Sequence, residues 1–244
     1  MLIATPAAVL QALQEGVPLD RIYLMQQLPA SVADPIRAAA LRHQVPVQKV
    51  PVQKLDSLHV PGHEGCVAQR SRVQYQQLQD VIDQVNDRGD TPLLLLLDGI
   101  TDIRNIGAIA RTALCCGVQA IIIPERGVGA LNEDAMLTSA GALEQIAVCR
   151  VPSLMKAVDT LHLNGIAVYA SEMTATQTIG ETDFTVPCAV VMGSEENGIH
   201  PALMKICDTK IRIPMHGNFE SLNVSVAAGM ILYEAMRQRM ALKP

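Results

Sequence analysis

From Pro92 onward the chain alternates short, unbroken apolar runs with stretches of helical periodicity, and this alternation leaves few architectures open. The runs are LLLLLD (93–98), QAIIIP (119–124), QIAVCRV (145–151), GIAVYAS (165–171), CAVVMG (188–193) and DTKIRIP (208–214). Each is too short for a buried helix and is read as a strand. Strands that are apolar on both faces belong inside a sheet covered on both sides. The intervening helices, clearest at 106–116, 153–163 and 223–240, supply the covering layers of a largely parallel α/β sheet. Ligands of such sheets bind beyond the carboxyl ends of the strands.

The first 72 residues read as a separate, smaller α/β unit. A helix is predicted over 4–15, with Thr5 as its N-cap and Pro6 at the first helical position. Strands at 21–25, 45–50 and 65–69 and a helix over 31–43 complete it. Between the two units, QQLQDVIDQVN (76–86) places Leu78, Val81, Ile82 and Val85 at helical spacing. It is read as a linker helix within 73–91 that docks on the domain 92–244.

Three segments stand at predicted strand ends. In the last, Ile213–Ile231 (IPMHGNFESLNVSVAAGMI), a strand stops at Pro214, a polar loop HGNFES follows, and a helix starts at about Asn223. Asn is a favoured N-cap because its side-chain oxygen accepts from a free amide of the first turn. A strand end, a Gly-containing loop and a helix N-terminus together suit a nucleoside or a carboxylate, although an ordinary strand-loop-helix connection has the same outline. The other two segments are LDGITDIRNIGAIARTA (97–113) and VVMGSEENGI (190–199).

Taken together, Asn105-x-Gly107-x-x-x-Arg111, Gly193-x-Glu195-x-x-Gly198, Ile213-Pro214-Met215 and Ser221-Leu222-Asn223-Val224 resemble the motif set of the SpoU-TrmH family of RNA ribose 2′-O-methyltransferases. The likeness runs along nearly the whole chain and is greatest to the bacterial branch that methylates a guanosine of 23S ribosomal RNA. It implies a SPOUT-type C-terminal domain with a deep trefoil knot, an N-terminal RNA-binding domain, and a homodimer with the active site at the subunit interface. It also implies S-adenosylmethionine as methyl donor, held by backbone groups of Gly193, Ile213 and Leu222 with Met215 nearby. A glycine at 193 would let the chain approach that ligand closely.

Arg111, Asn105, Glu195, Ser221 and Asn223 are the implied catalytic set. Asn105 and Gly107 would shape the nucleotide-receiving loop, with both Asn105 and Arg111 reaching one mouth. Glu195 would orient Arg111 or Asn105, and Glu196 would face solvent. Arginine is effectively never deprotonated, so a charge role suits Arg111 better than that of a base. Its structural alternative is an ion pair with Asp98 or Asp102. Two features depart from the branch: Glu64 stands where His-Gln-Gly is usual, and TPAAV replaces a glycine-containing opening.

Composition narrows the partners. The net charge is −5, with residues 1–72 carrying 7 Lys/Arg against 5 Asp/Glu, so any phosphate-binding face is local. Four Tyr, two Phe and no Trp make base stacking on aromatics a minor mode. Six cysteines without C-x-x-C or Cys/His clustering predict no metal and buried free thiols. The longest apolar run is far short of a membrane span, and the N-terminus lacks a basic segment leading into an apolar core, so a cytoplasmic protein is expected. A nucleotide-dependent oxidoreductase would carry G-x-G-x-x-G where this chain has NIGAIA. The last helix presents Met230, Ile231, Met236 and Met240 on more than one face, in keeping with a dimer.

Overall fold

In the computed structural model, which describes residues 1–128, 131, 133–216 and 221–242, Thr5 caps the first helix. Its hydroxyl accepts from the Ala8 amide at 3.3 Å. The unit Met1–Val73 runs β1 (Leu2–Ala4), α1 (Pro6–Gln14), β2 (Leu19–Met25), α2 (Ala30–Arg42), β3 (Val47–Val50), α3 (Val52–Asp56) and β4 (Cys66–Arg70). The sheet order is β1-β4-β2-β3, with β2 and β3 parallel and β4 antiparallel to both its neighbours. Val9 and Leu13 of α1 and Ile36 and Ala40 of α2 cover Ile22, Leu24 and Ala68. Two elements were not foreseen, β1 and α3. At three and five residues they are too short to show a period.

The unit Gln74–Pro244 begins with β5 (Tyr75–Gln76), α4 (Leu78–Asp87), β6 (Leu93–Asp98), α5 (Ile103–Cys115), β7 (Ala120–Pro124), α6 (Glu133–Thr138) and β8 (Ala147–Val151). It continues with α7 (Leu154–Leu163), β9 (Ala167–Ser171), β10 (Gln177–Thr178), β11 (Cys188–Gly193), α8 (Pro201–Met204), β12 (Thr209–Arg212) and α9 (Val224–Met240). Its strands lie in the order β10-β12-β9-β11-β6-β7-β8-β5, and the pairings among described residues are all parallel.

Successive side chains of a strand face opposite ways, which explains the unbroken leucine run of β6. Leu94 and Leu96 join α4, α7 and α8 in one core. Leu93, Leu95 and Leu97 point to the other face and are equally buried; α5 and α9 pack on each other, and α9 on β11. The amphipathic segment read as a linker helix is α4, and Leu78, Val81, Ile82 and Val85 lie in the core of this unit.

Two expectations need correction. Helix α5 starts at Ile103, before the predicted 106, because the Asp102 carboxylate accepts from the Arg104 amide at 2.8 Å and caps it. The thiols are not all buried: Cys115 is exposed and Cys207 half-buried. Burial does push Cys66 and Cys149 up to about 12 and Cys188 to about 11, so these stay protonated at neutral pH. Of the loop read at HGNFES, Gly217 to Glu220 lie outside the described residues.

Candidate active site

Strand β11 ends at Gly193, and the chain then folds back on itself. Ser194 and Gly198 exchange backbone hydrogen bonds, 3.2 Å to the Gly198 carbonyl and 2.9 Å to the Ser194 carbonyl. The Ser194 hydroxyl accepts from the Asn197 amide at 3.1 Å. Gly198 adopts φ +65, which a residue with a Cβ would resist. This tight loop aims Glu195 at the start of α9.

Glu195 gathers all three sequence segments. One of its oxygens, Oε1, accepts from Asn223 Nδ2 at 2.6 Å, from the Val224 amide at 3.1 Å and from Asn105 Nδ2 at 3.4 Å. Asn223 Nδ2 also donates to Asn105 Oδ1 at 3.1 Å. The oxygen of Asn223 meanwhile caps α9, accepting from the Ser225 amide at 3.0 Å. Asn223 is therefore a helix cap and a bridge at once. A carboxylate at the positive end of a 17-residue helix is also electrostatically favoured.

Beside this network a cavity of about 340 Å³ opens at the carboxyl ends of β9, β11 and β12. Gly193, Ile213, Met215, Ser221 and Leu222 line it, as does Glu195. Ser171, Glu172 and Met173 also line it, and sequence reasoning missed them. The signal was present: 165–171 reads as a strand, and residues just past a parallel strand face the ligand side. The wall is largely apolar, with Met192, Ile199, Val224 and Ala227, while Glu172, Glu195 and Arg212 supply charge. That combination suits a small ligand with a flat apolar ring and polar or charged ends. Among the described residues no cluster could hold a metal ion.

Two of the motif glycines are required by the chain's own packing. A Cβ on Gly193 would lie 2.2 Å from the Gly198 carbonyl carbon and 2.3 Å from the Ile199 nitrogen. The close approach that requires glycine there is made by the chain's own backbone. Gly107 is buried inside α5 and shapes no loop; its Cβ would meet the Ala135 carbonyl oxygen at 2.7 Å and Thr138 at 2.8 Å. Its task is to let α6 pack closely on α5.

Arg111 stands apart. Six residues of α-helix amount to a turn and two thirds, which leaves Arg111 about 120° around α5 from Asn105. It is exposed, lies outside the cavity lining and makes no hydrogen bond or ion pair with a described residue. The anticipated acid partners are engaged elsewhere, Asp102 with Arg104 at 3.2 Å and Asp98 with the His200 amide at 2.7 Å. Glu195 orients Asn105 and Asn223, not Arg111. Ser221 is exposed on the cavity rim, and Glu196 and His216 face solvent.

Comparison with known proteins gives a consistent picture. The SpoU rRNA Methylase family matches residues 92–233. The 23S rRNA (guanosine-2′-O-)-methyltransferase RlmB of Vibrio parahaemolyticus is 40% identical over 188 residues, covering 77% of this chain and 76% of that protein. The TrmH-family tRNA/rRNA methyltransferase YacO of Bacillus subtilis is 33% identical over 232 residues, 95% of this chain and 93% of its own length. Among solved structures, the SpoU methyltransferase AviRb from Streptomyces viridochromogenes, in complex with AdoMet, superposes with a TM-score of 0.58. The match covers 99% of this chain and 91% of AviRb at 24% identity.

Proposed function

We propose, from the premise that this chain belongs to the SpoU rRNA methylase family, that it methylates the ribose 2′-hydroxyl of a guanosine in 23S ribosomal RNA. The chain is an S-adenosylmethionine-dependent RNA methyltransferase. The observation that carries the site assignment is Glu195, which joins Asn105, Asn223 and the α9 amide at the edge of the cavity. The guanosine and the 23S RNA rest on likeness to the Vibrio enzyme.

The cavity fits the cofactor, which when bound supplies an electrophilic methyl on a sulfonium sulfur. Backbone groups of Gly193, Ile213 and Leu222 would hold the neutral adenine, with Met215 and Met192 packed against it. Glu195 fixes the amides of Asn105 and Asn223, so that they and Ser221 present a pre-set polar surface to the target ribose. Arg111 acts as a fixed positive charge for the hydroxyl losing its proton and for the adjoining phosphate, and the proton leaves to phosphate or water.

Because Arg111 is exposed on α5 rather than aimed into its own cavity, the reading includes a homodimer whose interface completes the site. Helix α9 supports it: Val226, Met230, Tyr233 and Met240 are 52%, 43%, 58% and 62% exposed and recur at steps of four, three and seven residues along one stripe. Of the residues first taken to mark that face, Ile231 is fully buried and Met236 half-buried. The unit Met1–Val73 is assigned to RNA binding, with the exposed Glu64 disfavouring close phosphate contact. A trefoil knot in the C-terminal unit and a cytoplasmic location belong to the same reading. Among the described residues no helix is long and apolar enough to cross a membrane.

The test is methyl transfer from labelled S-adenosylmethionine to protein-free ribosomal RNA and bulk transfer RNA, with the product nucleosides resolved. Label in 2′-O-methylguanosine of 23S RNA is expected. Label in transfer RNA or in another nucleoside overturns the target and keeps the reaction. No transfer to either RNA or to ribosome-assembly intermediates, with cofactor binding intact, points to a silent RNA-binding relative.

A further inference from the structure

We propose that Glu172 holds the ribose of the methyl donor, its carboxylate accepting from the vicinal 2′- and 3′-hydroxyls; the assignment rests on the cavity being the S-adenosylmethionine site. Glu172 is the first residue after β9, and β9 lies between β12 and β11, the strands whose ends form the rest of the cavity. Its backbone is fixed, because the Glu172 amide donates to the Ile211 carbonyl at 2.9 Å. Its side chain is fixed as well. Oε1 accepts from the Thr174 amide at 3.3 Å and from the Thr174 hydroxyl at 3.2 Å. Oε2 accepts from no described residue.

The two acids of the cavity thus differ in what they are free to do. Glu195 spends one oxygen on three protein donors and serves the α9 terminus. Glu172 is half-buried, clamped through one oxygen and open through the other. A carboxylate at the carboxyl end of a parallel strand is the acceptor that a vicinal diol matches best, each hydroxyl donating one hydrogen bond. Dinucleotide-binding sheets use an acid in the same way, on a different topology. A carboxylate beside the adenine wall also separates adenosine compounds from bare adenine, which has no diol to offer.

The experiment is titration calorimetry on the full chain with S-adenosylmethionine, 5′-methylthioadenosine and the 2′,3′-dideoxy form of methylthioadenosine. Glu172→Ala is expected to weaken the first two by the same factor, about ten- to a hundredfold, as for loss of hydrogen bonds to a charged acceptor. The dideoxy compound should bind wild type and variant alike. Glu172→Gln, with nearly the same shape, should also weaken the diol compounds, and it decides the matter if thermal melts show the Ala variant unfolded. Unchanged methylthioadenosine affinity in the folded variants overturns the proposal. So does a loss confined to S-adenosylmethionine, which would move the carboxylate to the amino-acid end. Wild-type protein that binds none of the three compounds overturns the cavity reading itself. Wild-type binding with unaffected variants removes only Glu172.

Discussion

At Gly193 the chain passes so close to its own Gly198–Ile199 backbone that no side chain fits. Neither neighbour can yield without breaking the paired hydrogen bonds of Ser194 and Gly198. Gly193→Ala is therefore expected to destabilise the fold by about 3 kcal/mol, the upper end for overpacking, read as a shift of the urea midpoint. Arg111 is the opposite kind of residue, exposed and without structural partners in the described chain. Arg111→Ala should leave the urea midpoint and cofactor affinity unchanged while lowering turnover by about a hundredfold or more; a variant with normal turnover removes Arg111 from the reaction. The two residues show what was legible at this scale. Residue types and spacing pointed to both positions, but not to their reasons. Asn105 and Glu195 are 90 residues apart and Asn105 and Asn223 are 118 apart, and such contacts are created only by the sheet order. Glu172 was passed over because an acid after a strand carries no pattern until the strands beside it are known.

Among the elements, α9 has a structural and a functional duty joined at its N-cap, Asn223. Asn223→Ser keeps a side-chain acceptor for the free amides and loses the amide that bridges Glu195 and Asn105. Asn223→Ala loses both and should cost about 1 kcal/mol more in helix capping. Equal losses of activity with unequal stability are expected; an active Ser variant would show that capping alone matters. Further along, the stripe through Tyr233 predicts that Tyr233→Asp halves the mass seen by light scattering, while a monomeric wild type would contradict the dimer. The long strands and helices of the C-terminal unit could be read directly, since a buried parallel strand is apolar on both faces and a covering helix on one. Strands β5 and β10, two residues each, could not. They exist because a neighbour offers unpaired backbone groups, not because their own residues favour them. The start of α5 moved for a related reason: Asp102 caps by a local hydrogen bond that hydrophobic spacing does not register.

For the whole molecule, the two units bring different capacities. The Glu195 network and the cavity wall belong to Gln74–Pro244 alone, so that unit should bind the methyl donor without help. Met1–Val73 has its own sheet and its own core and an excess of basic residues, seven against five acidic over residues 1–72, in a chain that is acidic overall. Removing residues 1–72 cuts no strand of the larger sheet. The truncated protein is expected to retain cofactor affinity by calorimetry and a cooperative melt, yet to lose preference for ribosomal over transfer RNA. Phosphate contacts made through this unit also imply that RNA binding by the full chain weakens with added salt. The truncated form should show a shallower slope of log affinity against log salt. Full selectivity in the truncated protein, with an unchanged slope, would place RNA recognition on the methyltransferase unit and leave the smaller unit another task.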